Sequence, residues 1–259
     1  IAAMMSAADA TTTLRIGTMV IDNDFRHPVM LAKEAATIDL LSGGRLELGI
    51  GAGWLAAEYE KSGIPYDPAG VRISRMIESI TIMKALWSGE ATTFQGDHYQ
   101  IDGLTCFPRP AQQPYPPILI GGGSKRILTY AGREADIVGV LTTAVGSGVV
   151  LDEPLNRTTE KVVERIGWIR DGAGDRFRQI ELSMIPSVII TGDRRGATAE
   201  LIAKKGWQNI SVEQVWDMPT TLIGTVEEIS EQLISHRESL GFSYIVFSDD
   251  QMELMSSVV

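Results

Sequence analysis

Two glycine-rich turns are the segments of this sequence whose residue types and spacing best suit ligand chemistry. The first, Gly49-Ile50-Gly51-Ala52-Gly53-Trp54, follows an apolar run, and the second, Gly121-Gly122-Gly123-Ser124, leads from another apolar run into a helical pattern. Glycine lets the backbone approach a ligand closely, and the free N–H groups of a helix N-terminus favour an anion. Both turns are therefore candidate phosphate sites, although a glycine after a strand is equally typical of a simple turn.

Neither turn matches the motifs of the common nucleotide-binding folds. The first lacks the last glycine of G-x-G-x-x-G, and no acidic residue ends a following strand about 20 residues on. In the second, Lys125 follows Ser124, whereas the lysine of a P-loop precedes the serine. The sequence therefore predicts neither a Rossmann dinucleotide site nor a P-loop.

The histidines and the cysteine provide few catalytic candidates. His27, His98 and His236 are scattered, and none has a second histidine or a cysteine at metal-ligand spacing, so no metal site is expected. His236 lies in a polar helical stretch and is expected to be solvated. The single Cys106 excludes an intrachain disulfide, and we expect a buried or inert thiol there.

His27 is the histidine best placed for chemistry, because it lies between the first predicted strand and a helix, on the face where barrel enzymes react. It is either an acid/base group or a cap for the helix that begins at Pro28. Asp22, Asp24 and Glu58 lie on the same face by topology, and we interpret each as a loop or capping carboxylate. The sequence therefore identifies no catalytic residue.

The composition disfavours several classes of partner. The 259 residues carry a net charge of −10 with no basic cluster, which argues against nucleic acid and against an anionic membrane surface. No apolar run approaches the roughly 18 residues of a membrane span, and no charged-then-apolar leader opens the sequence. We expect a cytoplasmic protein.

Short apolar runs alternate with amphipathic stretches, which is typical of an α/β protein with a mostly parallel sheet. One predicted helix begins at Pro28 and ends before Gly43-Gly44. A second predicted helix begins after a capping-box pattern formed by Thr225 and Glu228, and it ends at Gly241. Strands are predicted at residues 15–20, 45–50, 117–120, 136–140, 181–190 and 244–247, and further helices at residues 72–87, 125–133, 159–171 and 197–205.

One segment interrupts this alternation. Residues 89–117 contain a hairpin pattern around Gly96-Asp97 and then a proline-rich, extended approach to the next strand. We interpret the segment as an insertion within one domain that covers residues 1–259.

Several of these runs together resemble the luciferase-like monooxygenase superfamily, and within it the deazaflavin-dependent oxidoreductases that use coenzyme F420. The resemblance weakens after about residue 140. It is carried by Arg15-Ile16-Gly17-Thr18-Met19-Val20, Arg26-His27-Pro28, Ser42-Gly43-Gly44-Arg45-Leu46-Glu47-Leu48-Gly49-Ile50-Gly51-Ala52-Gly53-Trp54, Leu86-Trp87-Ser88-Gly89 and Pro117-Ile118-Leu119-Ile120-Gly121-Gly122-Gly123.

The resemblance implies a TIM-like (β/α)8 barrel of the luciferase-like type, with an insertion. Such a barrel has eight strands. Only six strands are predicted here and the sequence opens in a helical pattern, so we expect the first two βα units to be absent from this chain. The alternative is an open doubly wound sheet that is complete as it stands.

The resemblance also implies where a cofactor binds. A bulge with a non-prolyl cis peptide would fall at Met19-Val20 and support the central ring of the cofactor, and Gly51 and Gly53 would line the ring or its side chain. The phosphate would be bound by backbone N–H groups of Gly121, Gly122, Gly123 and Ser124.

This sequence departs from the family pattern in two ways, and both limit which site residues the resemblance can assign. Ala52 stands where flavin-binding members can place an arginine, and the deazaflavin members take most catalytic side chains from the first two strands. The implied function is hydride transfer to or from a small organic substrate, with coenzyme F420 favoured and FMN, which permits monooxygenation, as the alternative. The residues do not indicate an oligomeric state, and a homodimer is one option because dimers are common in the family.

Two other functional classes are alternatives to a redox enzyme. A barrel hydrolase or aldolase would need a metal-ligand cluster or a strand-end lysine, and the sequence has neither. The third alternative is an inactive or partner-dependent fragment, because a barrel without its first units exposes a sheet edge and an apolar face.

Overall fold

The computed structural model describes residues 1–146 and 148–258, and these residues form two compact units. Unit one comprises Ile1–Ile120 with residues 148–149, and unit two comprises Gly121–Gly146 with residues 150–258. Each unit contains parallel strands with helices between them, which confirms the predicted α/β class. A single domain over residues 1–259 stays a prediction.

Unit one contains a parallel sheet and an antiparallel hairpin. In chain order its elements are α1 (Ala2–Ala10), β1 (Ile16–Gly17), β2 (Ile21–Asp22), α2 (Pro28–Leu41), β3 (Leu46–Gly51), α3 (Ala56–Ser62), α4 (Ala69–Trp87), β4 (Thr92–Gln95), β5 (Gln100–Leu104) and β6 (Ile118–Gly122), whose last two residues belong to unit two. Strands β1, β2 and β6 each pair in parallel with β3, whereas β4 and β5 form the predicted hairpin.

Strand β3 is the centre of unit one. All six of its residues are buried, as expected for a parallel strand covered on both faces. Helices α2 and α4 pack against each other beside it. Trp87, at the end of α4, donates a hydrogen bond from Nε1 to the carbonyl of Ala32 in α2 at 2.9 Å, which satisfies the buried indole N–H.

A buried carboxylate anchors the inserted segment to unit one. Asp39 on α2 is fully buried and accepts hydrogen bonds from the backbone N–H of Gln112 at 2.8 Å and from its side-chain amide at 2.7 Å. The same amide donates to the carbonyl of Leu46 at 2.8 Å. The segment after the hairpin is therefore fixed against α2 and β3.

Unit two contains two parallel strand groups. Its elements are α5 (Lys125–Glu134), β7 (Ile137–Val140), β8 (Ala144–Gly146), β9 (Val149–Leu151, which begins at the last residue of unit one), α6 (Thr159–Ala173), β10 (Glu181–Met184), β11 (Ser187–Ile190), α7 (Arg194–Lys205), α8 (Val212–Trp216), β12 (Thr221–Gly224), α9 (Val226–Leu240), β13 (Phe242–Ile245) and α10 (Met252–Met255). Strand β10 pairs with β7 and β13, and β11 pairs with β12.

Several strand predictions differ from the structure, and the strand predicted at residues 244–247 lies at Phe242–Ile245. Residues 15–20 form a strand only at β1, because the chain leaves the strand at Thr18 and re-enters the sheet as β2. Residues 181–190 divide into β10 and β11 around Pro186, which has no N–H to donate to a ladder. The sequence pattern does not predict β8, β9 and β12, since each is only three or four residues long.

The helix predictions agree better, because helix ends depend on local residues. Helix α9 begins with the predicted capping box, in which Thr225 and Glu228 each accept a backbone N–H from the other. Gly241 ends it in the left-handed conformation at φ +83°. Across the described residues, every helix is too short or too polar to cross a lipid bilayer.

Candidate functional site

The segment that joins β1 to β2 is bound tightly to β3. Thr18 Oγ1 donates a hydrogen bond to the carbonyl of Gly49 at 2.7 Å and accepts one from the N–H of Gly49 at 3.0 Å. The peptide bond Met19-Val20 is cis, at the position that the family resemblance indicates. Met19 and Val20 are 46% and 37% exposed, so this segment is accessible to a ligand.

Two glycines of the first turn allow this close approach. A Cβ atom at Gly49 would lie 1.9 Å from the carbonyl oxygen of Thr18, and one at Gly51 would lie 2.8 Å from Cγ2 of Val20. No other residue type fits at such distances without movement of the backbone or of Val20. Close packing therefore explains both glycines, and contact of Gly51 with a cofactor stays a prediction.

Gly53 is required for a different reason. Its φ is +73°, and a Cβ atom there would lie 1.9 Å from the hydroxyl oxygen of Tyr59 and 2.4 Å from Oδ2 of Asp22. The backbone at Gly53 thus lies directly against a polar cluster. Its predicted contact with the cofactor is not tested by this geometry.

The polar cluster consists of Asp22, Asp24, Tyr59 and Arg75, all in unit one. The hydroxyl oxygen of the fully buried Tyr59 lies 2.9 Å from Oδ1 of Asp22 and 3.1 Å from Oδ2 of Asp24. Arg75 Nη1 contacts the same Asp24 oxygen at 2.8 Å, and the Asp24 side chain is 1% exposed. Asp22 Oδ1 also accepts the backbone N–H of Asp24 at 3.0 Å.

The cluster changes the ionisation of its members. Burial is the main cause that raises the pKa of Asp22, and its hydrogen bonds to Asp24 and Tyr59 oppose this rise only in part. Burial, followed by the charges of the two aspartates, raises the pKa of Tyr59, so the phenol keeps its proton. The cluster therefore favours neutral forms of both Asp22 and Tyr59.

Arg72 supports the turn after β3 from inside the protein. This arginine is 4% exposed, and it donates from Nε to the carbonyl of Ala52 at 3.1 Å and from Nη2 to the carbonyl of Gly53 at 3.3 Å. Its guanidinium carbon lies 4.1 Å from the centre of the Tyr66 ring. A cation–π contact and two backbone bonds thus fix the shape of the turn.

A cavity of about 390 Å³ is lined by His27, His98, Tyr99, Asp24, Arg75 and neighbouring residues of unit one. Nδ1 of His27 accepts the N–H of Val29 at 3.3 Å, which confirms the capping alternative for this histidine. Its ring packs edge-to-face on Tyr99 with 5.4 Å between ring centres. Any acid or base role would therefore use Nε2, and that role stays a prediction.

The remaining carboxylates also have local roles. Asp22 caps the short 3-10 helix at residues 23–25, as the sequence interpretation expects. Asp24 is instead an ion-paired buried group. Glu58 lies in the first turn of α3, where a negative charge is favourable.

The second glycine turn, Gly121 to Ser124, lies at the start of unit two. A Cβ atom at Gly122 would lie 2.3 Å from Cγ2 of Ile127, and one at Gly123 would lie 2.9 Å from the carbonyl oxygen of Leu141. At Gly121, by contrast, a Cβ atom would meet nothing within 4 Å. Packing therefore explains Gly122 and Gly123 and leaves Gly121 without a packing reason.

The N-terminus of α5 follows this turn. Ser124 is the N-cap residue, but its side chain makes no capping hydrogen bond, and the first turn contains no acidic residue. The first helical bond runs from the N–H of Leu128 to the carbonyl of Ser124 at 3.0 Å. The amides of residues 125–127 thus precede the hydrogen-bonded part of the helix, which is the arrangement that binds anions.

The other candidates have a clear structural place. His236 is not solvated as the sequence predicts: it is partly buried, its Nδ1 has no hydrogen-bond partner within the described part of the chain, and burial lowers its pKa. Its helix, α9, packs on β12 and β13, which covers a face that looks polar in sequence. Cys106 is buried, and burial raises the pKa of its thiol. In residues 1–146 and 148–258 no group of three or more potential metal-ligating side chains occurs.

Sequence reasoning misses Arg72 and Arg75 as members of the site. The contacts that place them in the site join Arg72 to Ala52 and Gly53 and Arg75 to Asp24, 19 to 51 positions away, and no sequence period reports such contacts. The available signal is their spacing: two arginines at i and i+3 share one face of a helix whose neighbours Ile73 and Met76 are buried.

Parallel strands alternate with helices in this chain, and the candidate residues follow the carboxyl ends of β1 and β3. This arrangement defines an α/β protein of the class that binds ligands at the carboxyl ends of its strands. The family model described as luciferase-like monooxygenase matches residues 1–148. The chain belongs to the luciferase-like monooxygenase family.

Individual relatives agree with this assignment. The chain is 27% identical to an F420-dependent glucose-6-phosphate dehydrogenase of Intrasporangium calvum over 97% of this chain and 79% of the relative. It is 32% identical to an FMNH2-dependent dimethylsulfone monooxygenase of Pseudomonas putida over 49% of this chain and 35% of the relative. The matched region thus spans very different shares of the relatives.

The solved structure of the coenzyme F420-dependent tetrahydromethanopterin reductase of Methanopyrus kandleri is also similar. The TM-score is 0.75 at 18% identity, over 100% of this chain and 86% of that one. This similarity confirms the predicted fold class, the α/β fold of the luciferase-like barrels. The absence of the first two βα units stays a prediction.

Proposed function

We propose that this chain is a redox enzyme that binds coenzyme F420 and transfers a hydride to or from a small organic substrate. The relatives from Intrasporangium calvum and Methanopyrus kandleri are both named as F420-dependent, which supports this cofactor. FMN is the second candidate, supported by the name of the Pseudomonas putida relative, and it would permit monooxygenation. The bound cofactor supplies the redox chemistry, and the residues of the chain hold and orient it.

Residues 19–20 are proposed to support the ring of the cofactor. These two residues are exposed and therefore accessible. The two hydrogen bonds between Thr18 and Gly49 attach the adjoining backbone to β3. A rigid support of this kind favours catalysis, because a reacting ring must keep its distance and angle to the substrate.

Gly121 and the N-terminus of α5 are proposed to bind the phosphate of the cofactor. The observation that carries this assignment is the open space at Gly121, next to amides that lie before the first helical hydrogen bond. Both candidate cofactors carry a phosphate, so this part of the proposal applies to either one.

Charge at residue 121 tests the phosphate assignment. A side chain fits there without overlap, so Gly121→Asp and Gly121→Asn are both expected to fold. The two side chains have nearly the same size, and only the aspartate repels a phosphate. We expect Gly121→Asp to weaken binding by about fivefold or more relative to Gly121→Asn, since one unit charge several ångströms away contributes about 1 kcal/mol or more.

Fluorescence titration with F420 and with FMN, side by side, measures this difference. Stronger binding of F420 together with a specific loss in Gly121→Asp supports the full proposal. Equal affinities of the aspartate and asparagine variants would remove the phosphate from this turn. Failure of the unmodified chain to bind either cofactor would overturn the proposed function.

Three further predictions depend on this function. The substrate is expected to be a small organic molecule, the chain to be cytoplasmic, and the active form to be a homodimer. Sedimentation of the purified chain over a range of concentrations tests the last of these.

A further inference from the structure

One hydroxyl proton faces two carboxyl groups inside unit one. The hydroxyl oxygen of Tyr59 is 2.9 Å from Asp22 Oδ1 and 3.1 Å from Asp24 Oδ2. A tyrosine hydroxyl has one proton and donates one hydrogen bond, although its oxygen can also accept. If both aspartates were ionised, one of the two contacts would join two oxygen lone pairs without a proton. One proton can form only one strong hydrogen bond to these two oxygens, so the geometry favours a second proton in the cluster.

Asp22 is the carboxyl that best accommodates this proton. Asp24 is compensated as an anion, because Arg75 Nη1 lies 2.8 Å from the oxygen that faces Tyr59. Asp22 has no arginine at that distance within the described residues. Arg72, which acts on it from farther away, donates to the carbonyls of Ala52 and Gly53 instead.

The surrounding charges disfavour a second anion next to Asp24. On α4, Arg75 forms a second ion pair with Asp67, so its positive charge is shared between two carboxylates. Glu78 on the same helix accepts the backbone N–H groups of residues 97–99 and adds negative charge nearby. From the hairpin, the phenol of Tyr99 faces the cluster through Asn23, and burial raises its pKa. Ionised Asp22 would thus place a second negative charge beside Asp24, and the charge of Arg72 opposes this repulsion only in part.

We propose that Asp22 is a positioning residue held as the neutral acid, which donates a hydrogen bond to Tyr59, while Tyr59 donates to Asp24 and Asp24 is held by Arg75. This chain of hydrogen bonds ends two residues from Val20. It therefore joins the exposed segment at residues 19–20 to helices α3 and α4. The inference rests on the proposed function only for its effect on cofactor binding.

The sign of the pH dependence follows from the raised pKa of Asp22. In the unfolded chain this carboxyl ionises near the ordinary aspartate value, whereas the folded protein keeps its proton to higher pH. Its contribution to stability is complete below the unfolded pKa and is lost as pH rises through the folded pKa. Between the two values the folding equilibrium constant falls by up to about tenfold per pH unit, because one proton separates the two states.

The substitution Asp22→Asn tests this prediction, because asparagine is neutral at every pH. The stability of the unmodified chain relative to Asp22→Asn should fall as pH rises above the unfolded aspartate pKa and then level off. Asp102→Asn, a change at an exposed aspartate of β5, is the matched control and should not reproduce the trend. Urea unfolding at closely spaced pH values measures the stability of the unmodified chain relative to each of the two variants.

Carbon-13 NMR of the aspartate carboxyls in the unmodified chain gives an independent readout that needs no variant. The Asp22 carboxyl should titrate above the ordinary aspartate pKa, in the direction that its burial favours. The inference would be overturned if the stability of the unmodified chain relative to Asp22→Asn were constant with pH. It would also be overturned if the Asp22 signal titrated at the ordinary aspartate pKa.

Cofactor affinity separates the two proposals. If F420 or FMN binds, its dissociation constant should rise with pH in the unmodified chain and stay constant in Asp22→Asn. If neither cofactor binds but Asp22 titrates late, the positioning of the segment stands and the proposed function fails. If a cofactor binds but Asp22 is ionised throughout, the function stands and the neutral acid fails.

Discussion

Replacing Gly53 with alanine tests whether the turn after β3 is shaped by the Tyr59 cluster. The added Cβ atom would lie 1.9 Å from the Tyr59 hydroxyl and 2.4 Å from Asp22 Oδ2, far inside contact distance. The chain offers a matched control in Gly63, whose φ of +70° is close to the +73° of Gly53 but whose Cβ position is open. The difference between the two variants isolates the overlap from the cost of a left-handed alanine.

The magnitudes can be worked out from these contacts. A left-handed alanine costs about 1 kcal/mol, and this is the whole expected effect of Gly63→Ala. In Gly53→Ala the Tyr59 hydroxyl must also move, and loss of its hydrogen bond to a charged partner costs about 2 kcal/mol more. We therefore expect Gly53→Ala to lower the free energy of unfolding by about 3 kcal/mol.

Urea unfolding followed by tryptophan fluorescence and by circular dichroism measures both variants. The double variant Gly53→Ala, Tyr59→Phe provides a cycle, because removal of the hydroxyl takes away the atom nearest to the new methyl group. The two changes should cost less together than the sum of their separate costs. Equal effects of Gly53→Ala and Gly63→Ala, or strict additivity in the cycle, would refute the proposed role of the cluster.

Two smaller predictions concern the supports of this region. Thr18→Val keeps the side-chain shape but removes both hydrogen bonds to Gly49, so we expect a loss of about 1–2 kcal/mol in thermal or urea unfolding, and an unchanged stability would contradict the packing argument. Glu78→Gln replaces the carboxylate that accepts three backbone N–H groups at the hairpin tip with a neutral amide, which is a weaker acceptor. We expect faster amide hydrogen exchange at residues 97–99, with little change elsewhere.

The parts of the fold that the sequence predicts are those set by neighbouring residues. His27 before Pro28 and Thr225 with Glu228 define helix starts within a few positions, and the structure contains both caps. Strand ends are less well predicted, since they depend on partners far along the chain. Strand β11 is an example: it continues the apolar run of β10 but pairs with β12, about thirty residues later.

The candidate site shows the same limit. The family resemblance indicates the cis peptide at Met19-Val20, and the structure has it. The cluster that holds this segment is not predicted, because Asp22 and Asp24 meet Tyr59 across at least 35 residues of sequence. A carboxylate in a loop pattern looks solvated until the structure shows which side chains cover it.

A glycine-rich turn in a sequence can reflect close packing or ligand binding, and the structure distinguishes these two reasons for individual glycines. Gly49 and Gly51 make room for residues 18–20, and Gly53 makes room for Tyr59, so none of the three requires a ligand to explain it. Gly121 has open space, so packing does not explain it, and its contact with a phosphate stays a proposal. The cycle at Gly53 and Tyr59 tests the packing explanation directly, because the two substitutions should be coupled if the added methyl group overlaps the Tyr59 hydroxyl.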